Sequence, residues 1–93
     1  MSPNANLTIM NETARLIRTE QWITRRWTTD QRYYVVEIQQ DLFGIWLVKR
    51  SWGGIGSRRG NSLTIPADSY EHALLLLAEV EKRRRTRGYQ AME

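Results

Sequence analysis

Apolar and polar residues alternate through the middle of the chain. In residues 32–40, Tyr34, Val36 and Ile38 share one face while Glu37 lies on the other, because successive side chains of a strand point to opposite faces. The pattern predicts a strand whose even-numbered residues lie in the core. Stretches rich in aromatic and β-branched residues predict further strands over 22–27, 45–52 and 61–65.

A different period follows Pro66. Residues 70–85 favour a helix, and their apolar positions recur at spacings of three and four. Asp68 or Ser69 is a suitable N-cap, and Gly88 stands where the residue after a helix C-cap is expected. The pattern predicts one amphipathic helix laid across the sheet.

The connections between the predicted strands are too short for parallel crossovers. We therefore expect an α+β fold: a small antiparallel sheet of three to four strands with one C-terminal helix packed on one face. Residues 1–21 are expected to be an N-terminal extension, partly disordered or forming a short helix over 11–20. Residues 22–90 are expected to form the domain, and residues 91–93 a tail.

Composition narrows the chemistry. The 93 residues include no Cys and one His, which excludes disulfides, thiolate metal sites and multi-histidine metal sites. No apolar run is long enough to span a membrane, and the first ten residues do not resemble a signal peptide. We expect a non-enzymatic protein without cofactor, metal or small-molecule substrate, because no nucleophile–base pair or cofactor loop is evident. We also expect it to be cytoplasmic and not to bind a membrane.

Positive charge is concentrated in the predicted sheet. Residues 22–65 carry seven basic and three acidic residues and account for the whole net charge of +4. A basic balance indicates anionic partners, nucleic acid first. The basic clusters are Arg25–Arg26, Arg58–Arg59 and residues 82–87. The last cluster also suits a helix C-terminus, where cations complement the dipole.

One motif lies at the end of the third predicted strand. Its sequence is Lys49-Arg50-Ser51-Trp52-Gly53-Gly54-Ile55-Gly56, continued by Ser57-Arg58-Arg59-Gly60 and preceded by Leu42-Phe43-Gly44-Ile45-Trp46. Tyr33-Tyr34 and Arg87-Gly88-Tyr89 flank it at a distance. Together these residues resemble the WGR domain, which is named for a Trp-Gly-Arg tripeptide, over residues 22 to 90. The chain departs from the motif at Gly54, which occupies the position of the Arg.

The resemblance implies a role for Trp52. In family members that recognise DNA breaks, such as the DNA-repair poly(ADP-ribose) polymerases, the matching Trp packs on a sugar at the broken end. No role of the motif Arg can be transferred to Gly54. On physical grounds an exposed Trp can stack on a sugar or base, and glycines let the backbone approach a phosphate. The candidate nucleic-acid-binding residues are Trp52, Gly53, Arg50, Arg58, Arg59 and Lys49.

Two readings stay open for these residues and for the protein. Trp52 could instead be part of the core, and the glycine-rich segment could be only a tight hairpin. We expect sequence-independent binding to DNA ends, nicks or distorted sites. The alternative is a protein-interaction or dimerisation module that no longer binds DNA, because Gly54 replaces the motif Arg and the N-terminal Leu16 and Ile17 could pair with a second chain.

Overall fold

The computed structural model describes residues 17–92 of the protein. The predicted helix over 11–20 lies mostly outside these residues, which begin with a short 3₁₀ turn at Thr19–Gln21. The elements that follow are β1 (Ile23–Thr28), β2 (Arg32–Gln40), β3 (Trp46–Gly54), β4 (Gly60–Pro66), α1 (Tyr70–Thr86) and β5 (Gln90–Met92).

All strand pairs in the described chain are antiparallel, and the strands lie in the order β4-β3-β2-β1-β5. The predicted fold class, an antiparallel sheet with one C-terminal helix, is confirmed. The sheet has five strands rather than three to four, because Ala91 pairs with Trp27 and adds β5. Ala91 and Met92, expected in a tail, thus lie in a strand too short to show a period in the sequence.

The core lies between α1 and one face of the sheet. Val36, Ile38 and Val48 are fully buried on that face, and Ala73 and Leu77 of α1 cover them. Even-numbered residues of β2 face the helix, as the alternation predicted. Burial of these apolar side chains is the main favourable term for a sheet packed under a single helix.

Both ends of α1 are fixed by local hydrogen bonds. Ser69 rather than Asp68 is the N-cap, and its side-chain oxygen accepts from the His72 backbone N–H at 3.0 Å. At the other end Gly88 has φ +82°, and the Tyr89 N–H donates to the Arg84 carbonyl oxygen at 2.9 Å. This closing geometry is a Schellman motif, which needs a left-handed residue where Gly88 stands.

Contacts at its two ends show that α1 runs over β3, from the start of that strand to the region of Trp52. Near its start, the rings of Tyr70 and Trp46 are 4.7 Å apart between centroids. Near its end, the guanidinium of Arg84 lies 4.1 Å from the centroid of the Tyr34 ring. The first turn of α1 therefore covers the start of β3, and the last turn covers the region where β3 carries Trp52, which pairs with Tyr34.

The first described residues are attached to the sheet through Gln40. Its side-chain oxygen accepts from the Arg18 backbone N–H at 2.6 Å and from Trp22 Nε1 at 3.3 Å. Its amide nitrogen donates to the Gly44 carbonyl oxygen at 3.0 Å. Trp22, predicted in the first strand, lies just before β1 and belongs to this network at the far end of the sheet from Trp52.

Candidate nucleic-acid interface

A cavity of about 1000 Å³ opens at the end of the sheet, below the last turn of α1. Three aromatic residues line it: Tyr34 of β2, Trp52 of β3 and Tyr89 after the helix. The glycines at the β3–β4 connection form part of its edge. The antiparallel register brings these elements together, because Trp52 pairs with Tyr34 on one side and with Asn61 on the other.

Trp52 is half-buried, whereas the motif led us to expect an exposed side chain. Its ring stacks on that of Tyr34, with 5.8 Å between centroids and 13° between the planes. The strand alternation explains the difference, because residue 52 lies on the helix-facing side together with Tyr34. Trp52 therefore packs against the core and also lines the cavity.

Five arginines line the same cavity: Arg32, Arg50, Arg59, Arg84 and Arg87. Among the cavity-lining residues, all within 17–92, there is no Asp or Glu. Clefts lined by charge of one sign raise the local concentration of oppositely charged ligands. The arrangement favours an anion with several charges and an aromatic or apolar face.

Arg84 is the most deeply buried of these arginines. Its relative exposure is 8%, and its guanidinium lies 4.1 Å from the Tyr34 ring centroid and 4.9 Å from that of Tyr89. It has no acidic partner among residues 17–92. Burial of an unpaired charge is costly. The two rings and the negative end of the helix dipole offset part of that cost.

Two hydrogen-bond donors in this region are unpaired. The Nε atoms of Arg50 and Arg84 are buried and have no hydrogen-bond partner within the described residues. A buried donor left without an acceptor costs about 1–3 kcal/mol. Natural proteins retain few such groups, and a catalytic role or a bound water or ion accounts for many of them. An anionic or carbonyl-bearing ligand would supply the missing acceptors.

The structure brings together four of the six residues that the sequence singled out. Arg50, Trp52, Gly53 and Arg59 line the cavity. Arg58 is exposed in the same connection but is not among the lining residues. That any of these residues binds nucleic acid stays a prediction.

Lys49 does not belong to this group. It is exposed, and it follows Val48 and precedes Arg50 in β3, so its side chain lies on the face of the sheet opposite the helix. The basic pair in β1, Arg25 and Arg26, does not line the large cavity either. Both residues line a different, smaller groove, and Arg25 Nε lies 4.0 Å from the Glu81 carboxylate.

Sequence reasoning did not single out Arg84 as a site residue, nor Arg32, Arg87 and Tyr89. Residues 82–87 were predicted only as a basic cluster, with a helix C-terminus as the alternative interpretation. A signal was present, since the buried residues of α1 are Ala73, Leu77, Val80 and Arg84, at spacings of four, three and four. Arg84 therefore continues the apolar stripe, and its position predicts burial despite its charge.

Two of the motif glycines make room for a tyrosine. A Cβ on Gly60 would lie 2.8 Å from the Tyr33 hydroxyl, and a Cβ on Gly53 would lie 3.0 Å from that hydroxyl and from the Arg59 carbonyl oxygen. Gly53 and Gly60 pair directly across β3 and β4. Gly54 differs, because its nearest neighbour would be 3.6 Å from an added Cβ. A side chain at the motif Arg position is therefore sterically allowed.

The comparison with known families agrees with this geometry. A family model described as the WGR domain matches residues 20–93, and the chain belongs to the WGR family. This module is found in DNA-repair poly(ADP-ribose) polymerases and is associated with DNA binding in related proteins. Comparison with curated proteins and with solved structures gives no match. None of the helices in residues 17–92 has the length and apolar character needed to cross a membrane.

Proposed function

We propose that this WGR domain is a non-enzymatic module that binds DNA without reading base sequence, at ends, nicks or distorted sites. The observation that carries the proposal is the cavity, in which five arginines and three aromatic residues meet without an acidic neighbour. Phosphates are the matching anions, and sugars or bases are the matching flat or apolar groups.

Sequence-independent binding follows from where the helix lies. α1 buries its apolar stripe on the sheet, so it is not free to enter a major groove and read base edges. Contacts from arginines to phosphates position a protein on DNA but carry no sequence information. If three to five phosphates are neutralised, log K falls with log salt at a slope of about −3 to −4.5.

The preference for breaks rests on Trp52. Its indole is held by Tyr34 at the edge of the cavity, so it is oriented before binding. An intact duplex hides the faces of its bases by stacking, whereas an end or a nick leaves a terminal nucleotide accessible. Stacking of one base on an aromatic side chain is worth about 1–3 kcal/mol, which favours the broken site over the intact one.

Fluorescence anisotropy with 5′-phosphorylated nicked, blunt-ended and intact circular duplexes tests the proposal at about 50 and about 200 mM salt. We expect tighter, salt-sensitive binding to the nicked and blunt DNA. Equal affinity for all three substrates would reduce the activity to general attraction by positive charge. No binding even at low salt would contradict the proposal.

A pair of tryptophan variants connects the activity to the site. Trp52→Ala is expected to weaken binding to nicked DNA by roughly fivefold or more, from the loss of stacking. Trp22→Ala is the matched control, because Trp22 is partly exposed and bonds to Gln40 away from the cavity. Thermal melts check that both variants are folded. Equal affinity of two folded variants would show that Trp52 does not contribute to binding.

A protein-interaction module is the second candidate, and a specific surface favours it. Leu42 and Phe43 at the β2–β3 turn are 85% and 80% exposed, and the Asp41 carboxylate accepts from the backbone N–H groups of Phe43 and Ile45 at 2.8 and 3.0 Å. An ordered turn thus presents large apolar side chains. Light scattering of wild type and Phe43→Ser distinguishes the candidates: an assembly that the substitution dissolves supports interaction through this turn.

A further inference from the structure

A second, smaller cavity of about 140 Å³ lies between α1 and strands β3 and β4. Its wall is mixed: the apolar residues Val48, Ile65, Leu76 and Val80 line it together with Tyr34 and the charged residues Arg50, Glu79, Arg83 and Arg84. The function proposed above makes no use of this cavity. Its size and its combination of apolar and charged groups raise the question of what it binds.

The small cavity shares part of its wall with the large one. Tyr34, Arg50 and Arg84 line both. The unpaired Nε donors of Arg50 and Arg84 therefore belong to residues shared by the large basic cavity and the smaller, partly apolar one. Glu79 also lines the small cavity and has no basic partner within the described residues, so its carboxylate is available as an acceptor.

We propose that the small cavity receives one unpaired pyrimidine base of the DNA bound in the large cavity; this rests on the proposed function. An apolar cavity of about 150 Å³ accommodates a benzene-sized ring, so about 140 Å³ suits a single six-membered ring. The two fused rings of a purine are larger. A pyrimidine therefore matches this volume better than a purine does.

The polar groups of the small cavity fit the edge of a pyrimidine. The ring carbonyl oxygens of a pyrimidine accept hydrogen bonds. They would provide acceptors for the Nε atoms of Arg50 and Arg84, which have no hydrogen-bond partner within the described residues. The ring N–H of thymine or the amino group of cytosine donates, and Glu79 can accept. The phosphate next to the base stays in the large cavity, where Arg59 and Arg87 lie.

This arrangement defines the DNA more narrowly than a break alone. A paired base has to be unstacked and unpaired before it enters a pocket, at a cost of a few kcal/mol, whereas a base that is already unpaired avoids that cost. The preferred ligand is therefore a nick that carries one unpaired pyrimidine, such as a one-nucleotide flap, rather than a nick with every base paired.

The test compares nicked duplexes that differ only in the flap: thymine, adenine, an abasic sugar, or no flap. With the full chain in anisotropy titrations, we expect the thymine flap to bind roughly fivefold or more tightly than the abasic flap. The adenine flap should bind close to the abasic one. Equal affinity for the thymine and abasic flaps would overturn the proposal.

A substitution that fills the cavity gives an independent readout. Leu76→Trp places a large side chain in the small cavity, and Leu75→Trp is its control, because Leu75 is 65% exposed and does not line the cavity. We expect only Leu76→Trp to abolish the preference for the thymine flap while binding of the flush nick is kept. If Leu76→Trp is poorly folded, the wild-type flap series decides alone.

The outcomes separate the two proposals. Binding of flush nicks without any preference for a thymine flap rejects the base pocket and leaves the break-binding module intact. Absence of binding to all four substrates rejects both. A preference for adenine as strong as for thymine also rejects the pocket, because it shows stacking on Trp52 outside the small cavity.

Discussion

The two ends of the interface between α1 and the sheet use the same helical stripe for different purposes. At the core end, Ala73 and Leu77 cover Ile38 and other fully buried aliphatic side chains. At the site end, the stripe continues with Arg84, which lies over aromatic rings instead of aliphatic residues. Within about two helical turns the same face changes from an apolar core to a basic, aromatic cavity.

The difference between the two ends indicates that one contributes mainly to stability and that the other is suited to ligand binding. Apolar burial at the core end lowers the free energy of the folded state. At the site end a buried guanidinium without an acidic partner in the described chain raises it. We therefore propose that Arg84 is retained for ligand binding rather than for stability. Substitutions at the two ends should separate the two properties.

The largest expected effect is at the core end. Ile38→Ala should lower the free energy of unfolding by about 2–5 kcal/mol, because it removes buried methyl groups and leaves a cavity. Urea denaturation measures the change. The control is Leu75→Ala on the exposed face of α1, which should stay within about 0.5 kcal/mol of wild type. Equal effects of the two variants would contradict the placement of the core.

The next effect separates two neighbouring glycines at the site end. Gly53→Ala should destabilise by about 1–3 kcal/mol, because the added Cβ meets the Arg59 backbone oxygen at 3.0 Å. Gly54→Ala should cost much less, since its nearest neighbour is 3.6 Å away. Thermal melts of the pair check the order, and a larger loss for Gly54→Ala would show that the register at this edge is wrong.

A smaller effect is expected where α1 begins. Ser69→Ala removes the side-chain acceptor for the His72 N–H and should lower the free energy of unfolding by about 1 kcal/mol. Ser62→Ala, at an exposed position of β4, is the control. Because the cap lies at the core end, the affinity of Ser69→Ala for nicked DNA should equal that of wild type. A weaker affinity of Ser69→Ala for nicked DNA would show that a change at the core end affects binding at the site end.

The smallest expected change sharpens the function of the site end. Gly54→Arg restores the motif Arg at a position with room for a side chain. One further phosphate contact should steepen the slope of log K against log salt by about 0.9. Anisotropy titrations over a salt series measure it, with Gly54→Ala as the uncharged control. An unchanged slope would mean that position 54 does not face the DNA.

The alternation of apolar residues was enough to predict much of the fold. Strand β2 has the bounds that its pattern indicated, and its even-numbered residues face the core. Strand β3 extends beyond the predicted end at residue 52, because Gly53 and Gly54 still pair with β2. Strand β5 has only three residues and depends on pairing with β1, so local sequence carries no period that indicates it.

The candidate site was predictable only in part. Trp52, Arg50, Gly53 and Arg59 could be selected because they are close in sequence within one motif. Arg84 and Tyr89 reach the cavity through the helix crossing and the Schellman motif, which are tertiary features. The sequence interpretation treated residues 82–87 together, as a basic cluster or a helix C-terminus, and did not use the three-to-four spacing that marks Arg84 as buried.

The account depends most directly on the claim that Arg84 is buried for binding and not for stability. The measurement is Arg84→Met, with unfolding free energy and affinity for nicked DNA determined on the same sample. Replacing a buried charge with an apolar residue of similar size is often neutral or stabilising. Loss of a charged hydrogen bond, worth about 1.5–3 kcal/mol, should weaken binding by roughly tenfold or more. A destabilised variant that binds nicked DNA as tightly as wild type would contradict the claim.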